Sequence, residues 1–238
     1  AGEMLSEFFK AQLDYIFFFY GLSFVLLSAV CFELTRREER KYYFWLGLFG
    51  LTHGLNEWLD LLGLTLVQVD WFKLLRLGLL ALSFVFLLEF ARRASSQFRE
   101  RRLSFVLLLP LYALAGLGYL DGLDGLAASV RYALGLSGGL WAATVFYRSY
   151  IKGKRLDGFL LLAALSLAVY GLSTGLVVAP ADFPPAQYLN YDTFLAVLGF
   201  PVQLIRAATA SLLAYAVWRH AAGLQQGRGT DRALRLTR

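Results

Sequence analysis

Cysteine is nearly absent. The single Cys31 excludes an intrachain disulfide framework and any cysteine-rich metal site, and in its apolar setting it reads as a small buried hydrophobe. Histidine is almost as scarce, with His53 and His220 alone. Only His53 lies inside an apolar run, so a haem held by two buried histidines is disfavoured. The last apolar stretch, 195–219, has no lysine, which excludes a retinal Schiff base. No glycine-rich phosphate loop and no nucleophile–base constellation is present, and nothing supports nucleic-acid binding. The first ten residues, AGEMLSEFFK, are mildly amphipathic and lack the basic start and cleavage site of a signal peptide.

Charge is scarce too. Charged residues make up 17% of the chain, against about 25% in an ordinary soluble domain. Hydrophobic residues make up 58% and the mean hydropathy is +0.55. A soluble protein this apolar would have too little polar surface, so the composition implies an integral membrane protein. Seven stretches approach the ~20 apolar residues a crossing helix needs: 12–34, 42–64, 71–92, 102–120, 126–148, 157–178 and 195–219. The expected fold is an all-α bundle of seven transmembrane helices spanning 1–220. The basic, glycine-containing 221–238 is expected to be a juxtamembrane linker or a truncated tail.

The basic residues orient this bundle. Arg36, Arg37, Arg40 and Lys41 join the first two helices, and Arg92, Arg93, Arg99, Arg101 and Arg102 join the third and fourth. Arg148, Lys152, Lys154 and Arg155 join the fifth and sixth, and Arg219, Arg228, Arg232, Arg235 and Arg238 lie at the end. Only Lys10 and Lys73 fall on the opposite side. Positively charged connections stay in the cytoplasm, so the N-terminus is expected outside and the C-terminus inside. The basic connections are expected to lie on anionic lipid headgroups.

The stretch LTHGLNEWLDLL, 51–62, places His53, Asn56, Glu57 and Asp60 at i, i+3, i+4 and i+7, on one face of an otherwise apolar helix. Ionisable groups at such depth mark a functional site by default. Arg76, Arg131 and Arg206 fall in the same outer half of the bundle, and Gln203 shares a helix face with Arg206. Two readings stay open. The charges are structural ion pairs that fix helix packing, or they line an outward-facing polar pocket. In the pocket reading, three arginines against two acids suit an anionic ligand, and Asp14 is placed to cancel the excess. His53 and Glu57, one helical turn apart, could share a metal ion, although no second histidine joins them. Glu89 beside Arg92 and Arg93 reads as an interfacial charge reaching towards water. The proline-rich 179–194 is either a cap folded over the outer mouth or a plain surface loop. Gly122 and Gly125 mark a tight turn. The small residues Gly135, Ser137, Gly138, Gly139, Gly171, Ser173 and Gly175 allow close helix approach, within the bundle or at a dimer face.

The runs DYIFFFYGLSFVLL (14–27) and WLGLFGLTHGLNEWLDLL (45–62) resemble the opening of a membrane-sensor region found N-terminal to bacterial histidine kinases and some diguanylate cyclases. The resemblance covers the first two helices and gives His53, Asn56, Glu57, Trp58 and Asp60 as the positions that carry the pattern. It implies a sensory input module in a bacterial inner membrane, acting as a homodimer on a cytoplasmic output domain, with no established ligand and no cofactor. The expected ligand is small, anionic or lipid-like. No kinase or cyclase motif occurs in these residues, so the chain itself is not expected to be catalytic. The alternative is a transporter or membrane enzyme that uses His53, Glu57 and Asp60 as a substrate or proton site.

Overall fold

A computed structural model describes residues 2–38, 40–66, 69–98, 103–153 and 156–236, which are helical almost throughout and contain no β-strand. Arg99, Arg101, Arg102, Lys154, Arg155 and Arg238, which enter the charge asymmetry above, lie outside these residues, as do the side chains of Arg228, Arg232 and Arg235. A short helix α1 (Gly2–Ala11) leads into α2 (Leu13–Glu38), α3 (Tyr43–Gly63) and α4 (Asp70–Ser95). Next come α5 (Leu109–Leu117), α6 (Gly122–Val130), a π-helical turn (Arg131–Leu136) and α7 (Ser137–Lys152). The chain ends in α8 (Gly158–Leu176), α9 (Tyr191–Leu198) and α10 (Val202–Leu236).

Four helical stretches are long and apolar enough to cross a membrane: Leu13–Arg37, Asp70–Phe98, Phe105–Lys152 and Gly158–Leu176. The pair α9–α10 makes a fifth if its 89° bend is counted within one span. The helix α3 is not among them, because His53, Asn56, Glu57 and Asp60 lower its hydropathy.

Two expected helices are broken, each at identifiable residues. The stretch 102–120 does not form one long helix. It holds the nine-residue α5, with Pro110 in its first turn, between single 3₁₀ turns at Phe105–Leu108 and Gly118–Asp121. The chain then reverses at Gly122, whose φ of 71° and ψ of −159° are open only to glycine, and α6 packs back on α5. The stretch 195–219 is divided as well. Gly199 ends α9 in the left-handed conformation at φ 76°, and Pro201, which has no N–H, precedes α10. Beyond the break α10 runs without interruption to Leu236, so the segment expected to be a linker is helical.

Six helices close a ring in the order α2, α3, α4, α7, α8, α10 and back to α2, with α6 running through the π turn into α7 and α5 packed against α6. Close backbone approach sets the ring. A Cβ on Gly54 would stand 2.7 Å from the carbonyl oxygen of Gly21, so α2 and α3 touch main chain to main chain. Gly139 and Gly171 do the same for α7 and α8, where a Cβ on Gly139 would meet the Gly171 Cα at 2.6 Å. These small residues therefore pack this bundle rather than stand free for a partner. Phe24, Phe49, Phe84 and Tyr170 fill the interior and are almost fully buried. Cys31 is buried with them.

Candidate functional site

The glycine seam between α2 and α3 fixes the face on which the polar stripe of α3 points inward. His53 is fully buried at the centre of the ring. Ser83 on α4 donates to the carbonyl of Leu80 at 2.6 Å, so its oxygen is left to accept from His53 Nδ1–H at 2.9 Å. In the tautomer protonated on Nδ1 the ring donates to that oxygen. On the other side, Nε2 stands 2.8 Å from the Tyr170 hydroxyl of α8, 3.4 Å from the Tyr20 hydroxyl of α2 and 3.3 Å from Glu57 Oε1. With Nδ1 protonated, joining Nε2 to the Glu57 carboxyl requires one more proton, on either group. The imidazole thus ties α3 to α2, α4 and α8, and its bond to Glu57 is a protonation-dependent contact one helical turn away.

His53→Leu is expected to lower stability by about 2–4 kcal/mol, because Ser83, Tyr170 and Glu57 would lose a buried partner. Thermal melting of the purified protein in detergent measures this, and an unchanged midpoint would show the hub to be dispensable.

Towards the ends of α3 and α8 the stripe opens into a cavity of about 330 Å³. Its wall holds Asn56, Glu57, Asp60, Arg76, Arg131, Gln203 and Arg206, with His53 the hub behind it. Lys73, Asp124 and Tyr191 join them. Four cations therefore face three carboxylates, an excess of one positive charge. The loop 179–190 folds against α6, where Val178, Ala186 and Ala128 make a small buried cluster with Phe183. It brings Ala179 to the cavity wall, as α9 brings Tyr191. Asn190 caps α9 by accepting from the backbone N–H groups of Asp192 and Thr193, and this cap holds Tyr191 in place.

The arginines differ in their bonding. Arg76 is ion-paired with Asp60. Arg206 is buried and reaches no carboxylate among the described residues. It donates to the carbonyls of Ser173 at 2.8 Å and Val177 at 2.5 Å, and to the Tyr191 hydroxyl at 3.3 Å, with its guanidinium 5.3 Å from the centre of the Tyr191 ring. Those carbonyls belong to the C-terminal end of α8, where backbone acceptors lack intrahelical partners and a cation is favoured. Arg131, at the start of the π turn, enters no hydrogen bond or ion pair among the described residues and lies in the field of Glu57, Asp60 and Tyr191. Two buried polar atoms of the wall residues, Arg206 Nε and Asn56 Oδ1, have no protein partner among the described residues.

Some expected residues lie elsewhere. Asp14, in the first turn of α2, accepts from the neighbouring Tyr15 N–H at 2.8 Å and is not on the cavity wall, so it does not cancel the positive excess there. Trp58 packs on α2, stacked on Phe18 and donating to its carbonyl at 3.2 Å. Glu89 does not reach towards water. It is buried, with its carboxylate held by Arg92 at 2.7 Å and by Arg93. Among the described residues no three His, Cys, Asp or Glu side chains cluster closely enough to hold a metal ion, and His53 has both ring nitrogens engaged. Tyr191 and Asp124 carried no sequence signal, because each sits in the first turn of a short helix whose placement is set by the connection before it. Comparison with family models, with curated proteins and with solved structures finds no match for this chain.

Proposed function

We propose that this chain is a seven-span membrane input module of a signalling receptor, with its N-terminus outside and its C-terminus in the cytoplasm. The 330 Å³ cavity is its ligand site, and the ligand is a small anion. Three features favour an anion. The wall carries one excess positive charge, Arg131 has no protein partner among the described residues, and Arg206 keeps a spare buried N–H. The asymmetric distribution of Lys and Arg supports the orientation, and the resemblance of 14–27 and 45–62 to bacterial sensor regions supports the signalling role.

The single observation that carries the relay is the double duty of Arg206. It belongs to α10, it holds the carbonyl end of α8, and it lines the cavity. An anion that engages its guanidinium competes with those carbonyls. Binding would then favour one placement of α10 against α8 over another, which is what a ligand must do to shift a conformational equilibrium. The long α10 would deliver the shift to an output unit on the inner side.

The test is a screen of small carboxylates and phosphates by calorimetry and thermal shift on the purified protein. Arg131→Gln is expected to weaken a binding anion at least about tenfold, the loss of one charge-assisted hydrogen bond, while leaving the fold intact. If no small anion binds, or if Arg131→Gln binds it equally well, the receptor reading fails. A second reading, a transporter that uses the His53–Glu57 contact as its proton site, is favoured by the 3.3 Å separation of those groups. Substrate or proton flux into proteoliposomes holding this chain alone would replace the first reading with it.

A further inference from the structure

At the other end of the ring, where α2, α4 and α7 finish and α3 and α8 begin, lies a second and larger cavity of about 970 Å³. Arg40, Lys152, Arg219 and His220 stand on its wall, with Tyr42 and Ser149 as further polar groups. Two of the three long cations lie over aromatic rings rather than against carboxylates. Lys152 Nζ sits 5.2 Å from the centre of the Phe98 ring, and the Arg219 guanidinium sits 5.1 Å from that of Phe159. Arg40 is hydrogen-bonded to Tyr42. None of the three forms an ion pair among the described residues.

Asp157, the one acid on this wall among the described residues, is already committed. It accepts from Phe159 N–H at 3.0 Å as the N-cap of α8, and it is bonded to His220 Nδ1 at 2.6 Å. His220 is buried, and its other nitrogen, Nε2, is enclosed without a hydrogen-bond partner among the described residues. Among the described residues this concave wall sets three cations and one orphaned ring nitrogen against no free carboxylate, a lining suited to an anion. Phe98, Leu156 and Phe159 add apolar surface beside it, and basic pockets between spanning helices suit acidic headgroups.

We propose that this second cavity binds a phosphate-bearing anion, the chemistry shared by the headgroup of an acidic phospholipid and by free phosphate. It does not depend on the ligand reading of the first cavity. Lys152 and Arg219 would meet the phosphate oxygens, with Arg40 of the α2–α3 connection on the same wall. Occupation would tie the α7–α8 connection to α10.

Native mass spectrometry of the delipidated full chain in detergent tests this. Phosphatidylglycerol, phosphatidylcholine and inorganic phosphate are each titrated against the wild type, the double variant Lys152→Gln/Arg219→Gln, the double variant Lys152→Arg/Arg219→Lys and the control Lys10→Gln. The wild type is expected to retain phosphatidylglycerol over phosphatidylcholine. The glutamine pair is expected to bind it roughly thirty-fold more weakly, for two charges removed, while the charge-conserving pair and Lys10→Gln bind as the wild type does. Phosphatidylglycerol that millimolar inorganic phosphate does not displace identifies a headgroup site. Displacement and direct retention of phosphate identify a free-phosphate site. Equal binding by wild type and glutamine pair, with both folded by thermal melt, overturns the proposal, as does a wild type that retains neither anion.

Discussion

Arg206→Met is expected to destabilise the bundle by roughly 3–5 kcal/mol, the cost of leaving two buried carbonyls without a charged donor. The methionine fills much of the same volume, so the loss measures hydrogen bonding rather than a cavity. Ser173 and Val177 would keep their carbonyls pointing at the vacated position, in a region where α8 has run out of its own N–H donors. Arg206→Lys should recover only part of the loss, because an ammonium on a flexible stem does not reproduce the planar fork. Thermal melting gives the magnitude. Hydrogen exchange across 171–178 locates it, since the end of α8 should lose protection before the rest of the ring. A methionine variant that melts with the wild type would remove Arg206 from its place as the clasp of α8, and the relay through α10 would go with it.

Gly54→Leu is expected to be at least as damaging, at about 3 kcal/mol or more, the upper range for overpacking. The first added carbon alone would stand 2.7 Å from the Gly21 carbonyl oxygen and 3.1 Å from a methyl of Val25, and backbone does not move aside as a flexible side chain can. The only relief is separation of α2 from α3. That separation draws Tyr20 away from His53 and unsettles the face carrying Asn56 and Glu57, so any ligand affinity should fall with stability. Gly78→Ala in α4 is the matched control. Nothing lies within 4 Å of its new Cβ, and replacing a helical glycine by alanine should add about 0.5–1 kcal/mol. Thermal midpoints of the two variants moving in opposite directions would establish that contact, not helix propensity, sets the glycine seam. Equal shifts would refute it.

The helices were legible where hydrophobic period and length agree. The expected 42–64 and 157–178 match α3 and α8 to within about two residues. The polar face of α3 was legible for the same reason, since 3.6-residue periodicity aligns His53, Asn56, Glu57 and Asp60 without any tertiary information. Charge at matching depth brought in Arg76, Arg131, Gln203 and Arg206. Depth, however, does not say what a guanidinium touches. Arg206 was expected opposite carboxylates and instead serves carbonyls, because the end of α8 offers acceptors that no side-chain pattern displays. Asp14 failed in a similar way, since its carboxylate accepts from the Tyr15 backbone N–H of its own helix. The break at Gly199 and Pro201 had its signal in the sequence, but the apolar run on both sides of it reads as one helix when judged by hydropathy.

The π turn at Arg131–Leu136 carries a geometric consequence for the long stretch from α6 to α7. One uninterrupted α-helix can offer only a single continuous stripe to its neighbours. The extra residue in the wide turn advances the phase by about 100°. Above it, Asp124 and Arg131 face the polar cavity, and below it Gly138 and Gly139 meet α4 and α8. The turn is therefore a joint between two independently aimed surfaces. A one-residue change in length can be absorbed there, whereas the same change in α7 would rotate the glycine contacts out of register with Gly171.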